Sequence, residues 1–328
     1  MRETNRSYGS RGGPCAPPRD QPWRAPVNPW TSAGLSNSRP NILGIHFIVT
    51  RGFCQSYSLQ PLAKLHCLPS THLTMESPKK LKIASLGSSF AAGPDIPPQI
   101  EPHAALRSGQ NYPHLLAQHL NADLTDLSVS GATLLNITVD PQTTAFNTTF
   151  PPQISGLPSD ANIITVTAGG NDINYIGGMI ADACDAELQS SVSLSPAELA
   201  ERLGGVLDQI HQRAPSARIF LVEYLAVLGP ATQPSRNIPL TQERIQHYRG
   251  VASVLQHAYS VAVEGRADWC ETVPIHQLSQ EHALGSAEPW VGGFELGPLL
   301  HPNLDGMKAV AGILVETISK STLPKALL

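Results

Sequence analysis

Short runs of apolar and β-branched residues recur along the chain from Lys82 onward, and small or polar residues bound each run. The run from Ile163 to Thr167 is β-branched throughout, which is typical of a strand that helices cover on both faces. These runs predict five buried strands. They span residues 82–86, 124–129, 163–167, 218–222 and 268–273.

Stretches with the helical spacing of apolar residues separate the strands. Asn111, Ser195 and Thr241 stand where helix N-caps are expected, and Ser195 opens a Ser-Pro-Ala-Glu capping box. The spacing predicts helices over residues 111–120, from 195 onward, from 241 onward and over 305–318. Residues 133–158 contain few helix formers and predict a surface excursion. Strands that alternate with helices favour a parallel sheet covered on both faces, in one domain of about 250 residues.

Residues 1–78 differ from the rest of the chain, because they are rich in Pro, Ser, Arg and Gly and show no lasting periodicity. We predict that residues 1–78 are a disordered or mispredicted extension and that residues 79–328 form the domain. Met75 lies shortly before the first strand, and our hypothesis is that translation starts there. A genuine disordered or targeting arm is the alternative. Natural peptides from upstream of Met75 would support that alternative.

Charge is distributed unevenly. Residues 1–74 contain seven Arg and one Lys against Glu3 and Asp20, a surplus of six positive charges. Because the whole chain carries −4, the remainder carries −10. An acidic body argues against nucleic acid as a partner, and no apolar run reaches the roughly 18 residues of a transmembrane segment. We expect a monomer. The absence of an apolar region behind the basic start makes an intracellular location the default, with secretion open if the start is misassigned.

Cysteine usage gives no disulfide framework. Of the five cysteines, Cys184 and Cys270 lie in the predicted domain. One disulfide between them and two buried thiols are both compatible with the sequence.

Polar and small residues suited to acyl transfer follow the strands or precede the helices of the predicted sheet. They are Ser89, Gly131, Asn171 and His301. A serine needs a neutral imidazole to accept its proton as it attacks, and the resulting oxyanion needs fixed donors. The amides of Ser89 and Gly131 and the side chain of Asn171 are candidate donors. Taken singly, Gly131 is more typical of a turn and Asn171 of a helix cap, and His301 is also compatible with a surface loop.

The ordered set resembles the four sequence blocks of the SGNH (GDSL-type) esterase/lipase family, from Gly87-Ser-Ser89 to His301-Pro-Asn303. The resemblance implies a three-layer α/β/α sandwich, flavodoxin-like, with a five-stranded parallel sheet. It also implies a serine esterase that needs no metal or cofactor. By this resemblance Ser89 is the nucleophile and His301 the base, while Ser89, Gly131 and Asn171 form the oxyanion hole.

Two positions depart from the family pattern. Ser88 stands where the family usually has Asp, and Pro298 stands where the acid that orients the histidine usually lies. We predict a Ser-His dyad in which the Pro298 backbone carbonyl accepts a hydrogen bond from His301. Glu295 is the alternative acid. Asp305 is interpreted as charge complementarity at a helix start.

The sequence therefore predicts a carboxylic ester hydrolase that acts through an acyl-enzyme on lipid or simple acyl esters. Trp290 and Phe294 are candidate residues of the substrate pocket, and packing within a lid is an equal alternative for them. A carbohydrate-ester deacetylase or an acyltransferase would use the same site. A non-catalytic binding protein that keeps the fold is the alternative of another class.

Overall fold

A computed structural model describes residues 80–184, 193–295 and 297–321. The predicted extension over residues 1–78 lies outside the described residues. Five parallel strands form the central sheet. They are β1 (Lys82–Gly87), β2 (Asp123–Asp126), β3 (Ile163–Thr167), β4 (Arg218–Val222) and β5 (Cys270–Val273).

The strand order is β2-β1-β3-β4-β5, which is the flavodoxin-like order. Ile83 pairs with Leu124 of β2 on one side and with Ile163 of β3 on the other. The chain therefore turns in opposite directions from β1, and the carboxyl ends of β1 and β3 border a topological switch point. In open α/β sheets, ligands bind in the crevice at this point. The predicted fold class is confirmed.

The described part of the chain also contains eight α-helices. They are α1 (Ser89–Ala92), α2 (Tyr112–His119), α3 (Leu134–Thr138), α4 (Tyr175–Ala183), α5 (Pro196–Arg213), α6 (Gln242–Val263), α7 (Ile275–Leu278) and α8 (Leu304–Lys320). Helix α2 packs against α8, and α5 packs against α6. Right-handed crossovers that run both ways from β1 place these pairs on opposite faces of the sheet.

The predicted caps are present. The Asn111 side chain accepts a hydrogen bond from the His114 amide at 3.1 Å, and Ser195 and Glu198 form the capping box of α5. Strand β2 ends earlier than the periodicity predicts. The Asp126 carboxylate accepts hydrogen bonds from the Ser128 amide (3.0 Å) and hydroxyl (2.6 Å), which turns the chain out of the strand.

The excursion over residues 133–158 contains α3 and a short hairpin that pairs Gln142–Thr143 with Thr149–Phe150. Helix α4 is absent from the sequence-based prediction. Cys270 is a free and buried cysteine, so a disulfide between Cys184 and Cys270 is not formed. Among the helices of the described residues, none combines the length and the apolar character that crossing a membrane requires.

Candidate active site

Ser89 is the first residue of α1, directly beyond the end of β1. The turn between them depends on Gly87, whose φ is +152° and where a Cβ would lie 2.4 Å from the Thr167 carbonyl oxygen. The Ser88 amide donates to that same carbonyl at 2.9 Å. This tight connection between β1 and β3 fixes Ser89 at the switch point, with its amide in the first turn of a helix, where amides have no intrahelical acceptor.

His301 contacts Ser89 although the two residues are 212 positions apart in the sequence. Its Nε2 lies 2.8 Å from the Ser89 Oγ, and its Nδ1 lies 2.6 Å from the Leu299 carbonyl oxygen. A carbonyl only accepts hydrogen bonds, so Nδ1 carries the proton and Nε2 is free to accept from the serine hydroxyl. Burial lowers the pKa of His301, and the Leu299 carbonyl and the nearby Asp95 carboxylate oppose this shift in part. The imidazole is therefore neutral at neutral pH.

The carbonyl that accepts from the imidazole belongs to Leu299, and the prediction of Pro298 in this role is wrong. The Pro298 carbonyl instead accepts from the His301 backbone amide at 2.9 Å. Leu300 between them adopts a left-handed conformation with φ +55°, which turns the imidazole toward the carbonyl of residue 299. Glu295 is exposed, and no contact among the described residues joins it to His301.

Asp305 lies in the first turn of α8 and pairs with Lys308 at 3.0 Å. The partner of the imidazole Nδ1 is the Leu299 carbonyl. The arrangement is a serine and a histidine with a main-chain acceptor.

Asn171 and Gly131 follow β3 and β2 and line the same cavity as Ser89. The Asn171 Nδ2 donates one hydrogen to the Ala132 carbonyl at 2.8 Å, which orients the amide and leaves its second hydrogen available. Gly131 has φ +82°, a conformation that favours glycine. Gly131 and the Asn171 side chain thus line one cavity with Ser89, on two loops that the Asn171–Ala132 hydrogen bond joins.

Asp172 joins these two loops. Its carboxylate accepts from the Leu134 amide, with distances of 3.0 and 3.3 Å to the two oxygens, and Arg202 of α5 lies 3.6 Å away. Burial raises the pKa of Asp172 to about 6, against the lowering effects of the Leu134 amide and Arg202. The loop that carries Gly131 is thus tied to the loop that carries Asn171 at both Ala132 and Leu134.

A cavity of about 670 Å³ opens beside Ser89 and His301. Residues 141–146 of the excursion line one part of it, and Ile176 and Ile180 of α4 line another. Trp290 and Phe294 are not among the described residues that line this cavity, so the prediction that they are pocket residues is wrong. Trp290 stacks on His282 with ring centroids 3.8 Å apart, and Phe294 packs against the core.

Tyr224 is a site component that the sequence-based reasoning missed. Its hydroxyl lies 2.6 Å from the Ser88 Oγ, and its ring stacks on Phe90 at 4.2 Å between centroids. Phe90 in turn lies 5.4 Å from the His301 ring. Both neighbours of Ser89 therefore contact the same buried tyrosine, which comes from the loop after β4. A tyrosine at such a position gives no distinguishing sequence signal.

Comparison with known proteins shows the family of this chain. The sequence profile described as "GDSL-like Lipase/Acylhydrolase family" matches residues 85–309, more than half of the chain. The chain belongs to the GDSL-like lipase/acylhydrolase family. It is accordingly an ester hydrolase of the GDSL type, as the four sequence blocks predict, and the matched range includes Ser89, Gly131, Asn171 and His301.

The chain is also similar to individual proteins. The chain is 26% identical over 258 residues to Lipase 2 of Streptomyces coelicolor, covering 70% of this chain and 83% of that protein. The crystal structure of phospholipase A1 from Streptomyces albidoflavus NA297 matches with a TM-score of 0.57 at 18% identity, over 73% of this chain and 99% of that one. An extracellular lipase from Streptomyces rimosus matches with a TM-score of 0.55 at 18% identity, over 72% and 99%. These structures share the fold.

Proposed function

We propose that this protein hydrolyses carboxylic esters of lipids or simple acyl groups through a covalent acyl-enzyme on Ser89. The observation that carries the proposal is the hydrogen-bonded series from the Ser89 Oγ to the His301 Nε2 (2.8 Å) and from the His301 Nδ1 to the Leu299 carbonyl (2.6 Å). A serine and a neutral histidine in this geometry are the parts that nucleophilic acyl transfer requires.

In the first step, the Ser89 oxygen attacks the ester carbonyl while the His301 Nε2 takes the hydroxyl proton. The oxyanion of the tetrahedral intermediate accepts hydrogen bonds from the amides of Ser89 and Gly131 and from the free hydrogen of the Asn171 side chain. His301 then gives the proton to the departing alkoxide, which leaves as the alcohol. In the second half-reaction His301 deprotonates a water that hydrolyses the acyl-enzyme and regenerates Ser89.

The lining of the cavity supports an acyl substrate. Ile176, Ile180 and Phe146 provide apolar surface, and residues 141–146 contain no charged side chain. Apolar walls around a small number of fixed polar groups are typical of a site that binds hydrocarbon next to an ester. An acyltransferase would use the same residues with an alcohol in place of water, so the acceptor is decided by experiment.

The test is hydrolysis of p-nitrophenyl acetate, butyrate, octanoate and palmitate by the wild-type chain and by Ser89→Ala and His301→Ala. We expect both variants to lose on the order of 10³-fold or more in kcat. Activity that survives in Ser89→Ala would overturn the nucleophile assignment. A folded wild type that hydrolyses none of the four esters would instead favour a carbohydrate ester or an acyl acceptor other than water.

A further inference from the structure

The cavity beside Ser89 contains one carboxylate among its described lining residues. Asp95 supplies it, and no lysine, arginine or glutamate lines the cavity within the described ranges. The side chain is exposed, and within the same ranges it makes no hydrogen bond or ion pair. Pro94 and Ile96 on either side are buried, so the main chain anchors this carboxylate at the cavity wall.

Asp95 and His301 line the same cavity. The Asp95 charge acts on the His301 ring and offsets part of the lowering of the His301 pKa that burial causes. The same imidazole delivers the proton to the leaving oxygen, so the leaving alcohol must lie next to His301. Because Asp95 lines the cavity together with His301, its charge also acts on the alcohol portion of an ester bound there, whereas Ile176 and Ile180 belong to α4, which follows the Asn171 donor.

We propose that Asp95 selects esters whose alcohol portion carries a positive charge, such as a quaternary ammonium alcohol. This inference rests on the proposed function. The carboxylate attracts the cationic alcohol in the ground state and in the transition state, and it repels an alcohol portion that carries an anion. Because Asp95 is exposed, water and salt screen the attraction, and we expect its effect on kcat/KM to be about threefold to tenfold.

The experiment compares butyrylcholine with 3,3-dimethylbutyl butyrate, in which a carbon atom replaces the charged nitrogen and the shape is the same. The ratio of the two kcat/KM values is measured for the wild type, Asp95→Asn and Asp140→Asn at low salt and at about 0.5 M salt. Asp140 is an exposed carboxylate of the excursion over residues 133–158 and does not line the cavity, so its variant matches the change in net charge. A ratio between two substrates cancels any change in the amount of folded enzyme.

We expect Asp95→Asn to lower the ratio about threefold to tenfold and Asp140→Asn to leave it unchanged, with the wild-type ratio falling as salt is added. An equal ratio in wild type and Asp95→Asn would overturn the proposal, even if both rates fall, because Asp95 would then act only through His301. Rejection of both esters by an enzyme that hydrolyses p-nitrophenyl butyrate would overturn it as well. Failure of the proposed function would appear separately, as p-nitrophenyl butyrate hydrolysis that does not depend on Ser89.

Discussion

Replacing Asp172 by asparagine should remove a destabilising effect that grows as the pH rises. The Asp172 side chain is buried, and in the folded protein its carboxylate accepts a hydrogen bond from the Leu134 amide and has Arg202 at 3.6 Å. These contacts do not compensate fully for the loss of water, so burial raises the pKa of Asp172 from 3.8 to about 6. A carboxyl group with a raised folded-state pKa stabilises the fold below its unfolded-state pKa and loses that contribution as the pH rises through the folded-state value.

The magnitude follows from the shift. At about 1.4 kcal/mol per pKa unit, a change from 3.8 to about 6 corresponds to about 3 kcal/mol of lost stability over the whole titration. About 2.5 kcal/mol of this falls between pH 4 and pH 7, because the carboxyl group of the unfolded chain is already partly ionised at pH 4. Asparagine has a similar shape, keeps an oxygen for the Leu134 amide and does not ionise. The free energy of unfolding of Asp172→Asn relative to wild type should therefore increase by about 2.5 kcal/mol across this pH range, whatever fixed offset the substitution introduces.

The assay is denaturant unfolding at several pH values between 4 and 8, followed by tryptophan fluorescence. Arg202→Gln provides a companion variant, because removing the nearby positive charge should lower stability near neutral pH in the wild-type background and much less in Asp172→Asn. A difference between Asp172→Asn and wild type that stays flat, or that falls with rising pH, would refute the reasoning. It would show that the Leu134 amide and Arg202 outweigh the burial of the carboxylate.

Three further predictions concern the chemistry of the site. The acid limb of kcat/KM should have its midpoint below pH 6.5, because the base must be neutral and burial lowers the pKa of His301; a midpoint above 6.5 would contradict this. Glu295→Gln should leave kcat within about twofold of wild type, whereas a loss on the order of 10⁴ would identify Glu295 as the acid behind His301. Tyr224→Phe and Ser88→Ala should each lower kcat about tenfold, and their effects should not add, since they remove two ends of one hydrogen bond. Tyr112→Phe, which also removes a buried hydroxyl, is the control, and an equal loss of kcat there would contradict a specific role for the Tyr224 hydroxyl.

The sequence predicts the frame of the site well, for a physical reason. Buried parallel strands need continuous apolar runs, so strand ends are visible as the points where such runs stop. Ser89, Gly131 and Asn171 each lie just beyond one of these ends, and parallel strands bring such ends to the same edge of the sheet. The position of β3 and β4 matches the predicted residues throughout.

The details that the sequence does not predict depend on backbone torsions and on long-range packing. The choice between the carbonyls of Pro298 and Leu299 follows from the left-handed conformation of Leu300, which a leucine does not signal. Trp290 is a large apolar residue of the kind that lines acyl pockets, but its ring stacks on His282 instead. Such partners are set by the way distant segments fold together, and local patterns carry no information about them.

Because the partner of the His301 Nδ1 is a main-chain carbonyl, mutations of the residue that carries it do not remove the hydrogen bond. Every amino acid, proline included, contributes a carbonyl at position 299, so no missense mutation there can delete the acceptor of the His301 Nδ1 hydrogen bond. Because Leu299 also lines the cavity, variation at this codon is free to reshape the binding surface while the base keeps its orientation. Saturation mutagenesis of position 299 should therefore yield many active enzymes with altered ester preference, in contrast to positions 89 and 301.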